Sequence, residues 1–335
     1  MFRHLFFSFL FLLITLTGQT QPKRFTFSQP KMGSPFNIIF YSGDSLQANT
    51  TAMQCFQLVD SFVIIYSDYL DSSELNKLCA KAGKTNNPVI VSPALFDILL
   101  QSKIAYEKSE GTFDITLGPV TKLWRKARKE KIFPDDKTVK EKLALTGFKK
   151  IRIDTATQGI QLLQPGMQLD LGGIAQGYIA QQIIDFLKTK NIVNALVDVS
   201  GDIVTLGAPP GTNGWTVGVN VPEKADELLK QNLIISNKAV TTSGDVYQYM
   251  EHGGKRYSHI VDPRTGYGIT SQKNVTVIAN DGTTADWLTK ACSILSIRKA
   301  KKLANSLQAE VLIAEIKKGK LIFHTTKGFG RYWKR

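Results

Sequence analysis

The sequence predicts an α/β or α+β fold in which mixed or antiparallel sheets are flanked by helices. The chain has 335 residues, of which 43% are hydrophobic and 21% charged, and this is the composition of a folded globular protein. Turn signals separate short apolar strands from amphipathic helices, without an internal repeat or a low-complexity linker. Because the composition does not change along the chain, we expect one large domain or two intimate lobes rather than two independent domains.

Apolar residues at helical spacing predict four helices. The helices cover residues 51–65, the segment from Pro93 to just before Gly111, the segment after Gly172 and Gly173, and the segment that carries Leu288, Ala291, Cys292 and Leu295. Lys188 and Lys190 lie near the end of the third helix, where positive charge is favoured by the helix dipole.

Apolar runs bounded by turn residues predict the strands. Single strands are expected at 195–199, at 215–221 and around 275–278, and two hairpins pair 246–251 with 255–261 and 311–316 with 321–325. Gly253 and Gly254 mark the turn of the first hairpin, because two glycines supply the positive φ angles of a primed turn. Gly319 marks the turn of the second hairpin.

Residues 1–20 have the pattern of a cleaved export signal. Arg3 precedes an apolar run at 5–16, which is followed by small and polar residues. The run is shorter than the roughly 20 residues of an ordinary membrane span. A lipoprotein signal would place a cysteine where this chain has Gln19, so no lipobox is present. We therefore expect an exported, periplasmic protein whose single mature domain covers 21–335, with an uncleaved anchor as the alternative.

The formal net charge of +14 predicts that the partners of this protein are anions. Export argues against nucleic acid and leaves phosphorylated small molecules, acidic proteins or an anionic membrane face. The densest basic cluster consists of Lys122, Arg125, Lys126, Arg128, Lys129 and Lys131. Such a run is more often a solvated helix face than a dedicated site, and we interpret it as one.

The three cysteines argue against a metal or disulfide framework. Cys55, Cys79 and Cys292 form no CxxC pair and no cluster with histidine. Zinc and iron–sulfur sites are therefore poorly supported. A bridge between Cys55 and Cys79 is the alternative to buried free thiols, which we favour.

Four places in the sequence could carry chemistry, and each has an ordinary structural alternative. Gly172 and Gly173 lie between a predicted strand that ends at Asp170 and a helix whose free amides would attract phosphate, or the glycines only allow strand and helix to pack closely. Asp114 lies among apolar neighbours, where it would bind a ligand or cap the next helix. His259 could move a proton near neutral pH. Asp286 lies early in a helix, where capping is the ordinary role.

Nine motifs occur in a fixed order along residues 32–307. They are MGSPF at Met32, SSELNKL at Ser72, GTFDITLGP at Gly111, DLGGIAQGY at Asp170, VSGDI at Val199, GWTVGV at Gly214, TSGD at Thr242, HIVDPRTG at His259 and TADW at Thr284. In this ordered set the chain resembles the FAD:protein FMN transferases, also called ApbE-type flavin transferases. The resemblance implies two intimate lobes with a flavin cleft between them, within a single flavin-transferase-like domain.

The resemblance also implies an activity and a set of site residues. An enzyme of this kind uses Mg²⁺ to move FMN from FAD onto a Ser or Thr hydroxyl of an exported or membrane-bound acceptor flavoprotein, and AMP leaves. Peripheral contact with membrane complexes is a further expectation, and nucleic acid is not. By motif, FAD would contact Met32, Thr112, Phe113, Asp114, Asp170, Gln176 and Ile260. The metal would bind the Gly173 carbonyl, Asp286 and Thr289, while His259 and Asp286 would be the catalytic residues.

The chain departs from the family pattern at two positions. Lys290 stands four residues after Asp286, where the family usually has Thr. Residues i and i+4 share a helix face, so we expect the ammonium of Lys290 to pair with the Asp286 carboxylate and to oppose a divalent metal. Thr289 should point roughly 100° away by helical geometry. Gln176 stands where many members carry Lys, and Lys290 is a candidate to restore that charge near the phosphates.

Two alternatives to flavin transfer remain open from the sequence. The first is a hydrolase that splits FAD to FMN and AMP, with water in place of the acceptor hydroxyl. The second is an FAD-binding protein without turnover, which the position of Lys290 suggests.

Overall fold

An eight-stranded sheet forms the centre of the fold, and helices pack against it. The computed structural model describes residues 21–220, 229–244, 248–317 and 319–334. The predicted export signal at 1–20 therefore lies outside the described residues, as do Val221 and Val246, which the sequence placed in strands. None of the described helices combines the length and the apolar character needed to cross a membrane.

The strands are numbered in chain order. They are β1 (Lys23–Lys31), β2 (Ser34–Ser42), β3 (Val89–Ile90), β4 (Ile151–Asp154), β5 (Gly159–Leu162), β6 (Ala195–Val199), β7 (Asp202–Leu206), β8 (Trp215–Val217), β9 (Leu233–Ile235), β10 (Ala239–Ser243), β11 (Tyr249–His252), β12 (Lys255–Ser258), β13 (Lys273–Ala279), β14 (Glu310–Lys317) and β15 (Lys320–Thr325). The central sheet has the order β1-β2-β6-β7-β10-β13-β14-β15. Smaller sheets are formed by β3-β5-β4, by β8-β9 and by β11-β12, and each pair between described strands is antiparallel. The predicted fold class is confirmed.

The described part of the chain contains eight α-helices, and several of them begin at a residue whose side chain accepts hydrogen bonds from free backbone amides. They are α1 (Ser45–Tyr66), α2 (Glu74–Cys79), α3 (Pro93–Lys108), α4 (Gly118–Glu130), α5 (Asp136–Leu143), α6 (Ala175–Thr189), α7 (Gly282–Ile294) and α8 (Ile297–Ser306), with 3-10 turns at Ile115–Leu117, Phe148–Lys150 and Phe329–Tyr332. Side chains of Asp44, Ser92 and Asp281 accept hydrogen bonds from the first turns of α1, α3 and α7. Such caps occupy donors that have no partner inside the helix.

Several predicted elements differ in length from those observed. The strand predicted at 255–261 ends at Ser258 as β12. Helix α1 begins six residues before the predicted residue 51, because Asp44 caps it while its first turn is mostly exposed and shows no apolar stripe. Strand β8 ends at Val217, although Val219 is still buried beyond it. The alternating valines thus predict correctly which residues are buried, but they predict a strand longer than the one that pairs with β9.

The predicted hairpins and free thiols are observed. Gly253 and Gly254 have φ angles of 56° and 72° between β11 and β12, which is the left-handed conformation the primed turn needs. All of β15 pairs with residues 312–317 of β14, on the two sides of the turn that contains Gly319. Cys55 and Cys79 are buried and free, so the bridge between them does not form and the favoured alternative is confirmed.

Helices α6 and α7 cross at a pair of glycines. A Cβ added at Gly177 would lie 2.1 Å from the carbonyl oxygen of Gly282, and a Cβ at Gly282 would lie 2.3 Å from the carbonyl oxygen of Gly177. The two backbones therefore touch, and no larger residue fits at either position. Gln181 fixes the same crossing, because its Oε1 accepts the Gly282 N–H at 3.1 Å. Through this contact the first turn of α6 is held against the start of α7.

We expect Gly177→Ala to destabilise the protein strongly, by about 1–3 kcal/mol or more, because the added methyl forces two helix backbones apart. The free energy of unfolding from urea titration measures the effect. The matched control is Gly330→Ala, where no atom lies within 4 Å of the added Cβ. That exposed control should stay within about 0.5 kcal/mol of the unmodified protein. Equal stabilities for the two variants would contradict the close crossing.

Candidate active site

A cavity of about 850 Å³ opens at the start of α6. Its wall is formed by the β1–β2 turn, the end of α1, one face of α4, the loop before α6, the segment after β12 and the end of α7. Cavities of this size hold ligands as large as a dinucleotide. The site therefore lies where several parts of the chain, distant in sequence, converge.

The structure brings most of the predicted site residues together. The residues that line the cavity include Met32, Thr112, Phe113, Asp114, Asp170, Gly173, Gln176, His259 and Ile260. Asp286 and Thr289 are different, since both side chains are fully buried, and Lys290 lies between them and the cavity. The predicted FAD-binding residues thus lie together on the cavity wall. Two of the three predicted metal ligands, Asp286 and Thr289, are buried behind that wall.

Asp114 caps the turn that follows it and also lines the cavity. Its Oδ1 accepts hydrogen bonds from the backbone N–H of Thr116 at 2.8 Å and from the Thr116 hydroxyl at 2.6 Å. The capping role that the sequence favoured is therefore observed. Burial raises the pKa of this carboxyl above its ordinary value, and the bonds from Thr116 oppose that rise.

Asp170 is held by a network of donors rather than by a strand. The sequence placed it at the end of a strand, but it lies in the loop before α6, where its N–H donates to the Ile115 carbonyl at 2.8 Å. Its Oδ2 accepts from the Thr121 hydroxyl at 2.6 Å and from Arg125 at 2.5 Å. Arg125 also pairs with Asp68, so one guanidinium bridges two carboxylates on the cavity wall.

The interpretation of the whole basic cluster as a solvated helix face is wrong for two of its members. Arg125 and Arg128 line the cavity, whereas Lys126 and Lys129 are exposed. Thr121, Arg125 and Arg128 follow one another at intervals of four and three residues, so they share one face of α4. That spacing was the signal that could have found them in the sequence.

The two glycines before α6 serve packing. The Gly172 N–H donates to Asp170 Oδ1 at 2.8 Å, so this amide is already occupied. A Cβ at Gly173 would lie 3.1 Å from the Phe113 ring and 3.3 Å from Cγ of Lys290. The close-packing alternative is therefore supported, and Gly173 leaves room for the lysine side chain.

His259 is a neutral imidazole with one nitrogen available. Its Nδ1 lies 3.3 Å from the Gln248 carbonyl oxygen, which can only accept a hydrogen bond, so the proton belongs on Nδ1 and the lone pair on Nε2. Burial, and then the positive charges of Lys290 and Arg128, lower the pKa of His259 to about 4. A histidine in this state accepts a proton at neutral pH.

Lys290 pairs with Asp286, as its position four residues later predicts. Its Nζ lies 2.9 Å from Asp286 Oδ1 and 3.3 Å from the Thr289 hydroxyl oxygen. The second oxygen of Asp286 accepts the Gly177 N–H at 3.1 Å. The predicted capping role of Asp286 is wrong, because Asp281 caps α7 and Asp286 lies in the second turn.

A second carboxyl lies close to this pair. Asp202, on β7, is 5% exposed and accepts a hydrogen bond from the Thr241 hydroxyl at 2.7 Å. Burial, and then the charge of Asp286, raise the pKa of Asp202 to about 8. Burial alone would lower the pKa of Lys290, but the charges of Asp286 and Asp202 outweigh it and leave the pKa above its ordinary value. The lysine is therefore an ammonium.

The residues around Asp286 do not fit a divalent metal. Both carboxylate oxygens have protein donors, and the Thr289 hydroxyl donates to the Asp286 carbonyl while it faces the ammonium of Lys290. In the described part of the chain, no three His, Cys, Asp or Glu side chains form a group that could hold a metal ion. A divalent ion at Asp286 and Thr289 would require the ammonium of Lys290 to leave.

A polar cleft of this size, with a proton acceptor and three cationic side chains on its wall, is typical of an enzyme that acts on an anionic nucleotide. The sequence profile of the ApbE family matches residues 32–313. The chain belongs to the ApbE family, which confirms the resemblance drawn from its motifs.

Known proteins are similar to this chain both in sequence and in fold. The chain is 33% identical over 285 residues to the FAD:protein FMN transferase of Klebsiella pneumoniae (strain 342), covering 82% of this chain and 86% of the relative. It is 31% identical over 300 residues to the FAD:protein FMN transferase of Treponema pallidum (strain Nichols), covering 84% and 82%. The crystal structure of the ApbE protein of Thermotoga maritima matches with a TM-score of 0.83 and 26% identity, covering 93% of this chain and 100% of that one.

We expect the ring of His259 to stay neutral in the free enzyme down to about pH 5.5, because its lowered pKa keeps the proton off Nε2 until the pH approaches 4. Proton NMR titration of the histidine rings measures this, with the His259 signal assigned from the His259→Gln variant. A His259 signal that moves with a midpoint near 6.5 would contradict the neutral tautomer.

We expect Arg125→Met to lower stability by about 2 kcal/mol at pH 7, because it leaves Asp68 and Asp170 facing one another without their cation. Burial and then Asp170 already raise the pKa of Asp68, and Arg125 opposes that rise. A carboxyl whose folded-state pKa is raised stabilises the fold as the pH falls through that pKa. The deficit should therefore shrink when urea titrations at pH 7 are repeated at a lower pH.

The control for this variant is Lys126→Met on the same helix, whose side chain is 70% exposed and pairs with Glu130 at 3.9 Å. Its stability should change by less than about 0.5 kcal/mol at either pH. If the loss of stability in Arg125→Met does not depend on pH, repulsion between the carboxyls of Asp68 and Asp170 is not its cause.

Proposed function

We propose that this protein transfers FMN from FAD to a Ser or Thr hydroxyl of an acceptor protein and releases AMP. The observation that carries the proposal is the convergence of nine motif residues on one cavity, the neutral His259 among them, in a chain of the ApbE family. The relatives named FAD:protein FMN transferase support the reaction class. Their names also support FAD as the flavin donor and a protein as the acceptor.

The reaction joins the acceptor to the flavin phosphate and breaks the diphosphate. The hydroxyl oxygen forms a bond to the phosphorus of the FMN half, the bond from that phosphorus to the bridging oxygen breaks, and AMP leaves with the electron pair. His259 Nε2 accepts the hydroxyl proton. Phosphoryl transfer asks a protein mainly for positioning and for neutralisation of charge. The cationic side chains Arg125, Arg128 and Lys290 on the wall suit an anionic donor.

Hydrogen bonds within the protein hold the side chains of the cavity wall in place. Asp170 is fixed by Thr121 and Arg125, and Asp114 is fixed by Thr116. Side chains whose hydrogen bonds already hold them in place lose little freedom when they contact a substrate. We infer that this ordered wall binds FAD and that His259 acts on the acceptor.

Two further parts of the proposal concern the compartment in which the protein works and its dependence on a metal ion. We propose that the protein works outside the cytoplasm, supported by the basic start and the apolar run of residues 1–20. Dependence on Mg²⁺, held by Gly173, Asp286 and Thr289, stays a prediction of the family resemblance. Because the side chains do not fit a divalent ion while Lys290 is paired, no step of the proposed reaction runs through one.

The test is to mix the purified protein with FAD and an acceptor carrying a flavinylation Thr, with and without Mg²⁺. Flavin fluorescence on the acceptor that survives denaturing electrophoresis would support transfer. Free FMN together with AMP, without a labelled acceptor, would show the hydrolase instead. Tight FAD binding without any AMP would show a binding protein. Mass spectrometry of acceptor and products separates the three results.

We expect His259→Ala to slow transfer by about 10²–10⁴-fold while FAD binding changes little, because a base acts on the hydroxyl and not on the cofactor. Single-turnover transfer measures the first effect and flavin fluorescence titration the second. The control is His252→Ala, since His252 is exposed and stacks on Phe133 in the β11–β12 hairpin. Equal loss of binding and transfer in His259→Ala would count against the base.

A further inference from the structure

Lys290 occupies the space between the cavity and the predicted metal ligands. Its ammonium contacts Asp286 and Thr289, and its stem lies against the position where Gly173 lacks a side chain. Its side chain is 21% exposed, whereas that of Asp286 is not exposed at all. One lysine therefore contacts two of the three residues that the resemblance assigned to a magnesium ion, lies beside the third, Gly173, and also reaches the cavity.

The charges at this place are already balanced. Asp286 is an ion-paired carboxylate with a hydrogen bond to each oxygen. The neighbouring Asp202 accepts a hydrogen bond from the Thr241 hydroxyl. The ammonium of Lys290 thus faces the carboxylate of Asp286. A divalent ion added to the same place would bring excess positive charge into a buried site, which is unfavourable.

The distances at this site also distinguish an ammonium from a divalent metal ion. Mg²⁺ binds oxygen at about 2.0–2.1 Å and needs near-octahedral coordination. The nitrogen of Lys290 lies 2.9 Å from Asp286, an ordinary distance for a charge-assisted hydrogen bond. The side chains are arranged for the larger, singly charged group.

We propose that the ammonium of Lys290 is the resident cation of this site, that it takes the place of a divalent metal, and that it faces the diphosphate of FAD. The last part rests on the proposed function, which assigns FAD to the cavity. Lys290 then neutralises charge on the diphosphate as the bond to AMP breaks, and transfer needs no divalent ion. Gly177 and Gly282 hold α6 against α7. Lys290 belongs to α7, and this contact therefore places it beside Gly173 at the cavity wall.

The first test measures metal binding without flavin. Lys290→Thr removes the ammonium and supplies an oxygen four residues after Asp286. Electron paramagnetic resonance of Mn²⁺ should show one ion bound to this variant and none bound to the unmodified protein at the same concentration. Binding to the unmodified protein, or no gain in Lys290→Thr, would overturn the replacement of the metal.

The second test measures transfer to the acceptor with EDTA or with Mg²⁺. The unmodified protein should transfer flavin at rates that agree within about twofold in the two conditions, since its cation is covalently attached. Lys290→Thr should transfer only with Mg²⁺. Loss of transfer by the unmodified protein in EDTA, restored by Mg²⁺, would overturn the inference.

The third test uses Lys290→Met, which removes the charge without supplying an oxygen. Its affinity for FAD should fall about tenfold or more, while its affinity for riboflavin, which has no phosphate, should stay within about twofold. Equal losses for the two flavins, or none for FAD, would overturn the contact with the diphosphate. Because Asp286 is left unpaired, the double variant Asp286→Asn/Lys290→Met provides a folded alternative without either charge.

Lys299→Met is the matched control, because Lys299 is exposed on α8. It should keep the Mn²⁺, FAD and transfer results of the unmodified protein. Failure of the proposed function would give a different set of results. In that case Mn²⁺ binds only to Lys290→Thr, and Lys290→Met loses affinity for FAD but not for riboflavin, yet no variant labels the acceptor in any condition. These results would support Lys290 as the resident cation and contradict flavin transfer.

Discussion

The contact between the backbones of Gly177 and Gly282 is the constraint on which the site depends. It brings α6 and α7 together without intervening side chains, so the Gly177 N–H reaches the buried carboxylate of Asp286. The same approach places Lys290 beside Gly173 at the cavity wall. A wider spacing would leave a buried carboxylate without its donor, which is costly.

Charge in the cavity is organised by pairing rather than by exposure. Arg125 bridges Asp68 and Asp170, and Lys290 pairs with Asp286. Each cation is thus held in one position, yet part of it still reaches the cavity wall. These charges also act on His259, where Lys290 and Arg128 add to burial in lowering the pKa. The anion-binding surface and the neutral base are therefore two consequences of one charge distribution.

Local patterns predicted the local structure well. Strand β6 matches its predicted residues, and α3 begins at Pro93, because apolar periodicity and caps act within a few residues. The pairing of Lys290 with Asp286 also followed from helical spacing alone. The start of α1 was missed because its first turn is mostly exposed and shows no apolar stripe. Arg125 and Arg128 were assigned to solvent because their spacing groups them on one face of α4 but does not show whether that face meets a cavity.

The sequence by itself determined the fold class, the family and the motif residues of the predicted flavin site that line the cavity, since motifs in a fixed order carry that information. Only the tertiary structure decided how those residues are used. It shows Gly172 donating to Asp170, Asp114 capping a turn, and Lys290 lying between the cavity and a buried carboxylate. The physical reason is that hydrogen bonds and ion pairs between distant segments depend on how helices pack, and packing is set by the whole fold rather than by neighbours in sequence.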